Sequence, residues 1–366
     1  MKLRVVICLM FLSCLLCSCS DDINRKEIDE VDIVRIVGVD YLNNQYTLSV
    51  LYTENGGTDS TSATATIIKA EGKTIFEAYE NLKLKNKKSI TLAHTNYFLI
   101  GDAAARNGLK VCLDFISRDE TIKMDSLVNV VKDKTAVGLL EEAREKNLMI
   151  YEDLDAISQK QIETITKSDN TIANYLNEME QDDICLLMPC FVLEENALLS
   201  QGLAVFKDAK LCDYLDETTS LGINFINNRI RTCPIYLDQF VGLAIADTNT
   251  RISSRFQNGR IVVSIEIKYE TNVKEVTTSE DIFDHDTLVE LTGKQDYYIQ
   301  SLMQKAIDYS VTTKRDIFGI KKIIQNQLAS QWPTIQLRWY EYFDEIQYEF
   351  KIHSKIVKSF VVQNER

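Results

Sequence analysis

The order of strand-like and helix-like runs constrains the fold of this chain more than any single motif does. β-rich segments such as Ile33–Asp40 and Ile261–Tyr269 are interleaved with segments of helical spacing such as Ile75–Leu84. These runs do not follow the regular strand–helix–strand repeat that builds a parallel sheet. The sequence therefore predicts an α+β fold, and no low-complexity tract or internal repeat of about 20–50 residues contradicts it.

Chain length sets the expected number of domains. The 366 residues exceed the roughly 100–200 residues of a usual domain, and 45% hydrophobic residues can form sizeable cores. We expect three mixed α/β domains: an N-terminal domain over residues 31–185, a small β-rich middle domain over 186–232 and a C-terminal domain over 233–366.

Turn residues and spacing set the expected bounds of individual elements. The Asn-rich segment Leu42–Gln45 separates two β-rich runs and predicts a hairpin. A helix over Asp102–Asn107 is expected to precede a second helix over Leu109–Ile116. In the last third we expect one helix over Asp316–Gln331 and two closing strands around Ser354.

The N-terminus has the pattern of a secretory signal. Lys2 and Arg4 precede an almost unbroken apolar run, Val5–Leu16, which is too short to span a bilayer of about 30 Å. We therefore predict a signal peptide over residues 1–18. A plain secreted protein and an uncleaved anchor are the alternatives.

The predicted cleavage point also has the pattern of a bacterial lipobox. Leu16 supplies the branched apolar residue at −3, Ser18 the small residue at −1 and Cys19 the cysteine at +1. We expect a covalent diacylglycerol and acyl lipid on Cys19, followed by a polar tether that completes the segment 19–30. Acyl chains of this kind anchor a protein at about 0.8 kcal/mol per buried methylene.

The charge of the chain limits its partners. The formal net charge is −13, which opposes binding to nucleic acid and to anionic lipid headgroups, so we expect no nucleic-acid partner. Membrane residence must then come from the lipid. Four lysines, Lys83, Lys85, Lys87 and Lys88, are a local exception that we interpret as the exposed side and end of one helix.

The cysteines do not predict a disulfide framework. Four of the nine belong to the signal and the lipobox, including the lipidated Cys19, which leaves five for pairing, and an odd number cannot form a closed intramolecular set. Most of them are interpreted as small buried apolar residues. A Cys185–Cys190 or a Cys212–Cys233 bond stays open as an alternative. The five are Cys112, Cys185, Cys190, Cys212 and Cys233.

Residue patterns typical of catalysis are missing. The sequence has no GxGxxG, Walker, GxSxG or HExxH motif, and His94, His285 and His353 have no ligand partner at i+3 or i+4. We therefore expect neither an enzyme nor a metal site nor a cofactor beyond the lipid. Asp286, beside His285, is interpreted as an acid at the start of a helix.

The order of short segments along the mature chain resembles the Ger(x)C family, the lipoprotein C subunits of GerA-type nutrient germinant receptors in endospore-forming bacteria. The segments that carry the resemblance are Glu27–Asp29, Ile36–Asp40, Gly72–Thr74, Glu77–Ala78, Leu92–His94, Phe98–Gly101, Ala103–Ala105, Leu113–Asp119, Gly202–Lys207, Lys210–Leu211, Glu217–Thr218, Asp316–Ile320, Trp332–Pro333 and Trp339. Many relatives place Trp-Asp after the lipidated cysteine, whereas this chain has Ser20-Asp21.

The resemblance implies a function and a location. Such proteins are non-catalytic receptor subunits, lipid-anchored at the outer face of the inner spore (cytoplasmic) membrane and needed for germination in response to nutrients. It implies as partners a multi-spanning A-type subunit and a B-type subunit with large soluble domains. It supplies no ligand-binding residue.

Arg118 and Asp119 are the candidate residues for a subunit interface. A charged pair that follows an apolar helix is poorly explained by core packing alone, although a cap or a salt bridge between segments also fits it.

A different class of function fits an anchored extracytoplasmic protein as well. The chain could be a lipid-anchored solute-binding protein, which would require two similar lobes around a cleft, usually of doubly wound form.

Overall fold

A computed structural model describes residues 30–53, 65–164, 170–180, 185–237, 241–277 and 284–357. The predicted signal peptide, Cys19 and all of the tether except Glu30 lie outside the described residues. Helices and strands alternate irregularly, which confirms the α+β class. Within the described ranges, no helix is both long enough and apolar enough to cross a membrane.

Thirteen strands are described, and they form two sheets. They are β1 Val31–Leu42, β2 Gln45–Thr53, β3 Ala65–Gly72, β4 Ser89–Thr91, β5 Tyr97–Gly101, β6 Leu127–Val131, β7 Leu186–Glu194, β8 Ala197–Lys207, β9 Lys210–Leu215, β10 Cys233–Tyr236, β11 Val241–Gln257, β12 Arg260–Val276 and β13 Gln347–Val357.

Ten α-helices connect these strands in the part of the chain that the structure describes. They are α1 Ile75–Lys85, α2 Asp102–Arg118, α3 Ala136–Glu145, α4 Ile150–Thr164, α5 Ile172–Met179, α6 Glu217–Ile226, α7 His285–Thr313, α8 Ile320–Gln327, α9 Trp332–Ile335 and α10 Trp339–Asp344.

The larger sheet is mixed, with nine strands in the order β3-β2-β1-β5-β6-β7-β8-β9 and β4 paired beside β1. Its centre is parallel from β1 through β7, and both flanks are antiparallel hairpins. Strands β7 to β9, which we expected in a separate middle domain, continue this sheet, because β7 pairs with β6. The domain boundaries themselves stay a prediction.

Helices cover both faces of the larger sheet. Helices α1, α2 and α5 enclose one apolar core, whereas α3 and α4 enclose a second core on the opposite face. The central strand β5 is buried along its whole length, as expected for a parallel strand between two helical layers. A third core lies under α6 to α10 and the smaller sheet.

Two-residue turns explain the hairpins. Asn43 and Asn44 both have positive φ, and Asn258-Gly259 repeats this between β11 and β12. Two central residues of positive φ are the condition for the turns that match strand twist, and asparagine and glycine adopt that region most easily. The predicted hairpin around Leu42–Gln45 is therefore confirmed.

The smaller sheet has the order β10-β11-β12-β13, with β13 parallel to β12. Two expectations were wrong here. The closing segment is one strand that runs through Ser354, and the helix expected over Asp316–Gln331 is restricted to α8. Asp316 instead caps α8 from outside, because its carboxylate accepts hydrogen bonds from Ile320 N and Lys321 N, both at 2.8 Å.

A polar cluster joins the outer strand of the larger sheet to α7. The Arg315 guanidinium donates to Asp213 at 3.0 Å and to the Tyr309 hydroxyl at 2.7 Å, and that hydroxyl donates to Asp213 at 2.9 Å.

Helices α6 and α7 also cross closely. A side chain on Gly222 would lie 2.1 Å from the Leu302 carbonyl oxygen, so glycine permits that approach.

Candidate functional site

Helix α1 is the first wall of an exposed apolar groove. Thr74 caps it by accepting a hydrogen bond from Glu77 N at 3.1 Å. One face of the helix packs onto the sheet through Ile75, Ala78 and Leu82. Phe76 points away from that face, and 62% of the residue is exposed.

Helix α2 is the second wall, and it is bent at Gly108, whose φ of 152° and ψ of 120° are not helical. The two helices expected over Asp102–Asn107 and Leu109–Ile116 are thus confirmed as the two arms of a kinked helix. The kink lets Leu109 N donate to the Ala209 carbonyl oxygen in the β8–β9 turn, at 2.7 Å. It therefore fixes the direction of the second arm, which presents Val111 and Phe115 to the groove.

The groove between the two helices has a volume of about 720 Å³. The rings of Tyr79 and Phe115 meet edge to face across it, with centroids 5.9 Å apart. Phe76 and Val111, 47% exposed, lie beside this pair. Exposed apolar side chains that line one depression are typical of a surface that another molecule covers.

Arg118 and Asp119 lie at the end of this groove, but they do not pair with each other. The Arg118 guanidinium donates two hydrogen bonds to Asp114, at 2.8 and 2.9 Å, and this pair is exposed. Asp119 accepts from Thr121 N at 2.9 Å and from the Thr121 hydroxyl at 2.6 Å. Their assignment to an interface stays a prediction.

Charge at the groove is mostly negative. The hydrogen bond from Arg118 lowers the pKa of Asp114, so this carboxylate stays ionised well below neutral pH. Burial, with smaller contributions from Asp119 and Glu80, raises the pKa of Tyr79 to about 12. The tyrosine is therefore neutral. Among the groove residues that the structure describes, Asp114, Asp119 and Glu120 are acidic and Arg118 is the one basic residue.

Sequence reasoning missed the apolar part of this surface. Helical spacing assigned Ile75, Ala78, Tyr79, Leu82 and Leu84 to one apolar face, which was wrong for Leu84, since 85% of it is exposed. Phe76 falls outside that face. An aromatic residue on the polar side of an amphipathic helix was the signal that could have identified it. Val111 gives the same signal on the second arm, because it falls outside the buried face formed by Leu109, Cys112, Leu113 and Ile116.

Two residues in the segments that carry the family resemblance, Asp40 and Gly101, stabilise the fold. Asp40 on β1 accepts hydrogen bonds from Ala136 N at 2.6 Å and from Val137 N at 2.9 Å, so a buried carboxylate caps α3. Gly101 makes room for it, since a side chain there would lie 2.0 Å from Asp40 Oδ1. In the segments Ile36–Asp40 and Phe98–Gly101, these two residues therefore specify packing.

The described residues contain no group of three or more His, Cys, Asp or Glu side chains that could hold a metal ion. Asp284 accepts a hydrogen bond from Asp286 N at the start of α7, as expected of a helix terminus. All five described cysteines are free thiols, so neither open disulfide pairing is present. Burial raises the pKa of Cys112, Cys185 and Cys190 to about 12, which makes these thiols unreactive.

A second depression, of about 810 Å³, lies between the end of α6, β11 and α8. Two of the four carboxamides that line it, Gln327 and Asn228, bind neighbouring strand residues. Gln327 Oε1 accepts hydrogen bonds from Ser254 N and Oγ at 2.6 and 2.9 Å, and Asn228 Oδ1 accepts from Thr250 N at 2.8 Å. Polar groups bound to the protein in this way are not available to a ligand.

Two family models match the chain in order. The model described as "Spore germination protein N-terminal domain" matches residues 24–193, and the one described as "Spore germination B3/ GerAC like, C-terminal" matches residues 201–359. Their border falls in the hairpin of β7 and β8.

Curated relatives match over nearly the whole chain. Spore germination protein KC of Bacillus subtilis (strain 168) is 21% identical over 91% of this chain and 90% of its own length. Spore germination protein GerQC of Bacillus cereus is 18% identical over 97% of this chain and 98% of its own length.

A solved structure shares the fold. The crystal structure of the GerBC protein matches with a TM-score of 0.56 at 16% identity, over 88% of this chain and 96% of that one. Together with the two family models, these similarities show that the chain belongs to the Ger(x)C family of spore germination proteins.

Proposed function

We propose that this protein is a non-catalytic, lipid-anchored C-type subunit of a nutrient germinant receptor, needed for spore germination in response to nutrients. The observation that carries the proposal is the ordered match of both family models over residues 24–193 and 201–359. The lipid on Cys19 holds the subunit at the outer face of the cytoplasmic membrane, beside A-type and B-type subunits.

The groove of α1 and α2 is the surface that we assign to a partner subunit. Covering Phe76, Val111 and the Tyr79–Phe115 pair would remove apolar area from water at about 25 cal/mol per Å². The exposed pair of Arg118 and Asp114 lies at the edge of this area, where a charged pair sets specificity more than affinity.

A germination assay tests the receptor role. Spores that lack the protein should fail to respond to one class of nutrient, but should still germinate with calcium–dipicolinate, which bypasses nutrient receptors. The reason is that a subunit without catalytic groups removes an input and leaves cortex degradation intact. Loss of both responses, or of neither, would contradict the proposed role.

Co-purification with the membrane subunits tests the groove. Phe76→Ser with Val111→Ser should reduce recovery of the partners at an unchanged melting temperature, because both side chains are already exposed. The matched control is Val289→Ser with Tyr297→Ser, two exposed apolar residues on α7, and should leave recovery at the wild-type level. Equal recovery from both variants would place the interface elsewhere.

Charge reversal tests the two predicted residues. Arg118→Glu with Asp119→Lys should lower recovery of the partners while the melting curve stays nearly unchanged, since the exposed ion pair of Arg118 with Asp114 contributes little to stability. An unfolded double variant would instead give the two residues a structural role.

A binding experiment tests the solute-binding alternative. That function required two similar lobes, whereas the two sheets described here differ in strand number and order. Calorimetric titration of the protein with amino acids and sugars should give no heat of binding. Saturable binding at micromolar affinity would favour the alternative.

A further inference from the structure

We propose that one end of α1 docks on an anionic lipid surface and so orients the anchored body on the membrane. The basic patch that would do this consists of Lys83, Leu84, Lys85, Lys87 and Lys88. This inference rests on the lipid anchor of the proposed function, and the experiment below separates the two.

The composition of the basic patch suits a lipid interface. Lys83 and Lys85 form the last turn of α1, and Lys87 and Lys88 follow directly in the loop to β4. All four lysines are exposed, and Leu84 between them is 85% exposed, the largest fraction among the exposed large apolar residues of the described chain. Cations at the depth of lipid phosphates and an apolar side chain below them are the two attractions of interfacial binding.

The basic patch lies where the anchored segment joins the body. Val31, the first residue of β1, pairs with Ser89 next to Lys88. Asn86, the residue that ends α1, donates from Nδ2 to Asp32 Oδ2 at 2.7 Å. Residues 19–30 reach at most about 40 Å when fully extended, so this end of the body cannot move farther than that from the lipidated residue.

The lysines are only partly neutralised by neighbours. Lys83 pairs with Glu80, and its ammonium lies 4.8 Å from the centre of the Tyr79 ring. Lys85 donates to a backbone carbonyl, and Lys88 lies 4.0 Å from Asp32, the limit of an ion pair. Lys87 has no ion-pair partner among the residues that the structure describes.

Charge favours one orientation. The whole chain has a net charge of −13, so most of its surface is repelled by anionic headgroups, and the basic patch is a local cationic end. The acidic tether is the rival occupant of the lysines. Its only large apolar residues are Ile23 and Ile28, set among charged neighbours, whereas the acyl boundary of a bilayer offers Leu84 a continuous apolar phase, and this favours the lipid surface.

Tryptophan quenching by brominated lipid measures the contact. The full-length lipidated protein carries Leu84→Trp and is reconstituted in vesicles of phosphatidylcholine alone or mixed with phosphatidylglycerol. The matched control is Leu337→Trp, at a position 82% exposed that belongs to the C-terminal part. Mass spectrometry of the same samples reports whether Cys19 is lipidated.

Leu84→Trp should be quenched in the anionic vesicles and much less in the neutral ones, whereas Leu337→Trp should be quenched in neither. Adding Lys85→Glu, Lys87→Glu and Lys88→Glu should reduce quenching to the Leu337→Trp level, since each lysine near an anionic surface favours docking by about fivefold.

The remaining outcomes are separable. Charge reversal at three exposed lysines elsewhere (Lys274, Lys351 and Lys355) should leave the quenching of Leu84→Trp unchanged. A lipidated protein whose Leu84→Trp is not quenched, or is quenched equally in both vesicle types, overturns the docking inference and leaves the proposed anchor standing. A protein without lipid on Cys19 that does not join the vesicles overturns the anchor itself.

Discussion

Adding one methyl group at Gly101 should undo the cap of α3. The new Cβ would lie 2.0 Å from Asp40 Oδ1 and 3.1 Å from Ala136 N, so the carboxylate has to move away from the helix. Asp40 then loses its hydrogen bonds to Ala136 N and Val137 N. Ala136 N is then buried without a partner, at about 1–3 kcal/mol, and the partly buried Val137 N loses a hydrogen bond worth about 1 kcal/mol. We therefore expect Gly101→Ala to destabilise α3 by about 2–4 kcal/mol.

Hydrogen exchange localises that loss. Amides of α3 should exchange about 30- to 800-fold faster in Gly101→Ala, which corresponds to 2–4 kcal/mol of opening free energy. The matched control is Gly293→Ala on α7, where a Cβ meets nothing within 4 Å, and where alanine should be neutral or stabilise the helix by up to about 1 kcal/mol.

A double-mutant cycle tests whether the clash with the Asp40 carboxylate causes the destabilisation by Gly101→Ala. In the Asp40→Ala background the obstructing oxygen is gone, so adding Gly101→Ala should cost less than about 1 kcal/mol. An undiminished cost in that background would refute the reasoning, because the clash would then be with the backbone at Ala136 and not with the capping carboxylate.

Three further outcomes are expected. Burial outweighs the two N–H donors and raises the pKa of Asp40 from 3.8 to about 6. Protonated Asp40 therefore contributes stability at low pH, and this contribution is lost between about pH 4 and pH 6. The difference in unfolding free energy between wild type and Asp40→Ala, measured by urea denaturation, should change by about 3 kcal/mol over that window and stay flat above it. Cys19→Ala should abolish membrane retention in detergent partitioning, and unchanged retention of the exported variant would contradict the predicted lipid anchor. Neither chelator nor dithiothreitol should lower the melting temperature by as much as about 10 °C, since a larger drop would reveal a metal or a disulfide worth several kcal/mol.

Local sequence patterns predicted those features of the fold that depend on the backbone preferences of a few neighbouring residues. The Asn43-Asn44 turn and the break at Gly108 follow from backbone preferences of a few residues, and both were anticipated. The helix expected from Asp316 was wrong because the aspartate serves as a cap, and a cap and a first turn have similar composition. Pairing between distant strands, such as β6 with β7, depends on tertiary packing and could not be inferred from spacing.

The candidate site also combines features that local sequence patterns indicate with features that only tertiary packing determines. Arg118 and Asp119 were proposed for an interface because they end an apolar helix, and that assignment stays a prediction. The Arg118–Asp114 pair is itself a local pattern, since residues four apart on a helix are neighbours, but the sequence analysis considered only the adjacent acid Asp119. The groove itself requires that α1 and α2 pack side by side, which no local pattern states.

The pairing of β7 with β8 should keep the two parts of the protein together when the chain is cleaved between these strands. Eight residue pairs join its strands, and the border of the two family models lies within it. A protease nick at the exposed turn residue Glu195 would leave both fragments held by that ladder, so they should migrate as one particle until denatured. Expressed separately, each fragment would expose an unpaired strand edge that fits the other fragment, which is the property that split-protein complementation requires.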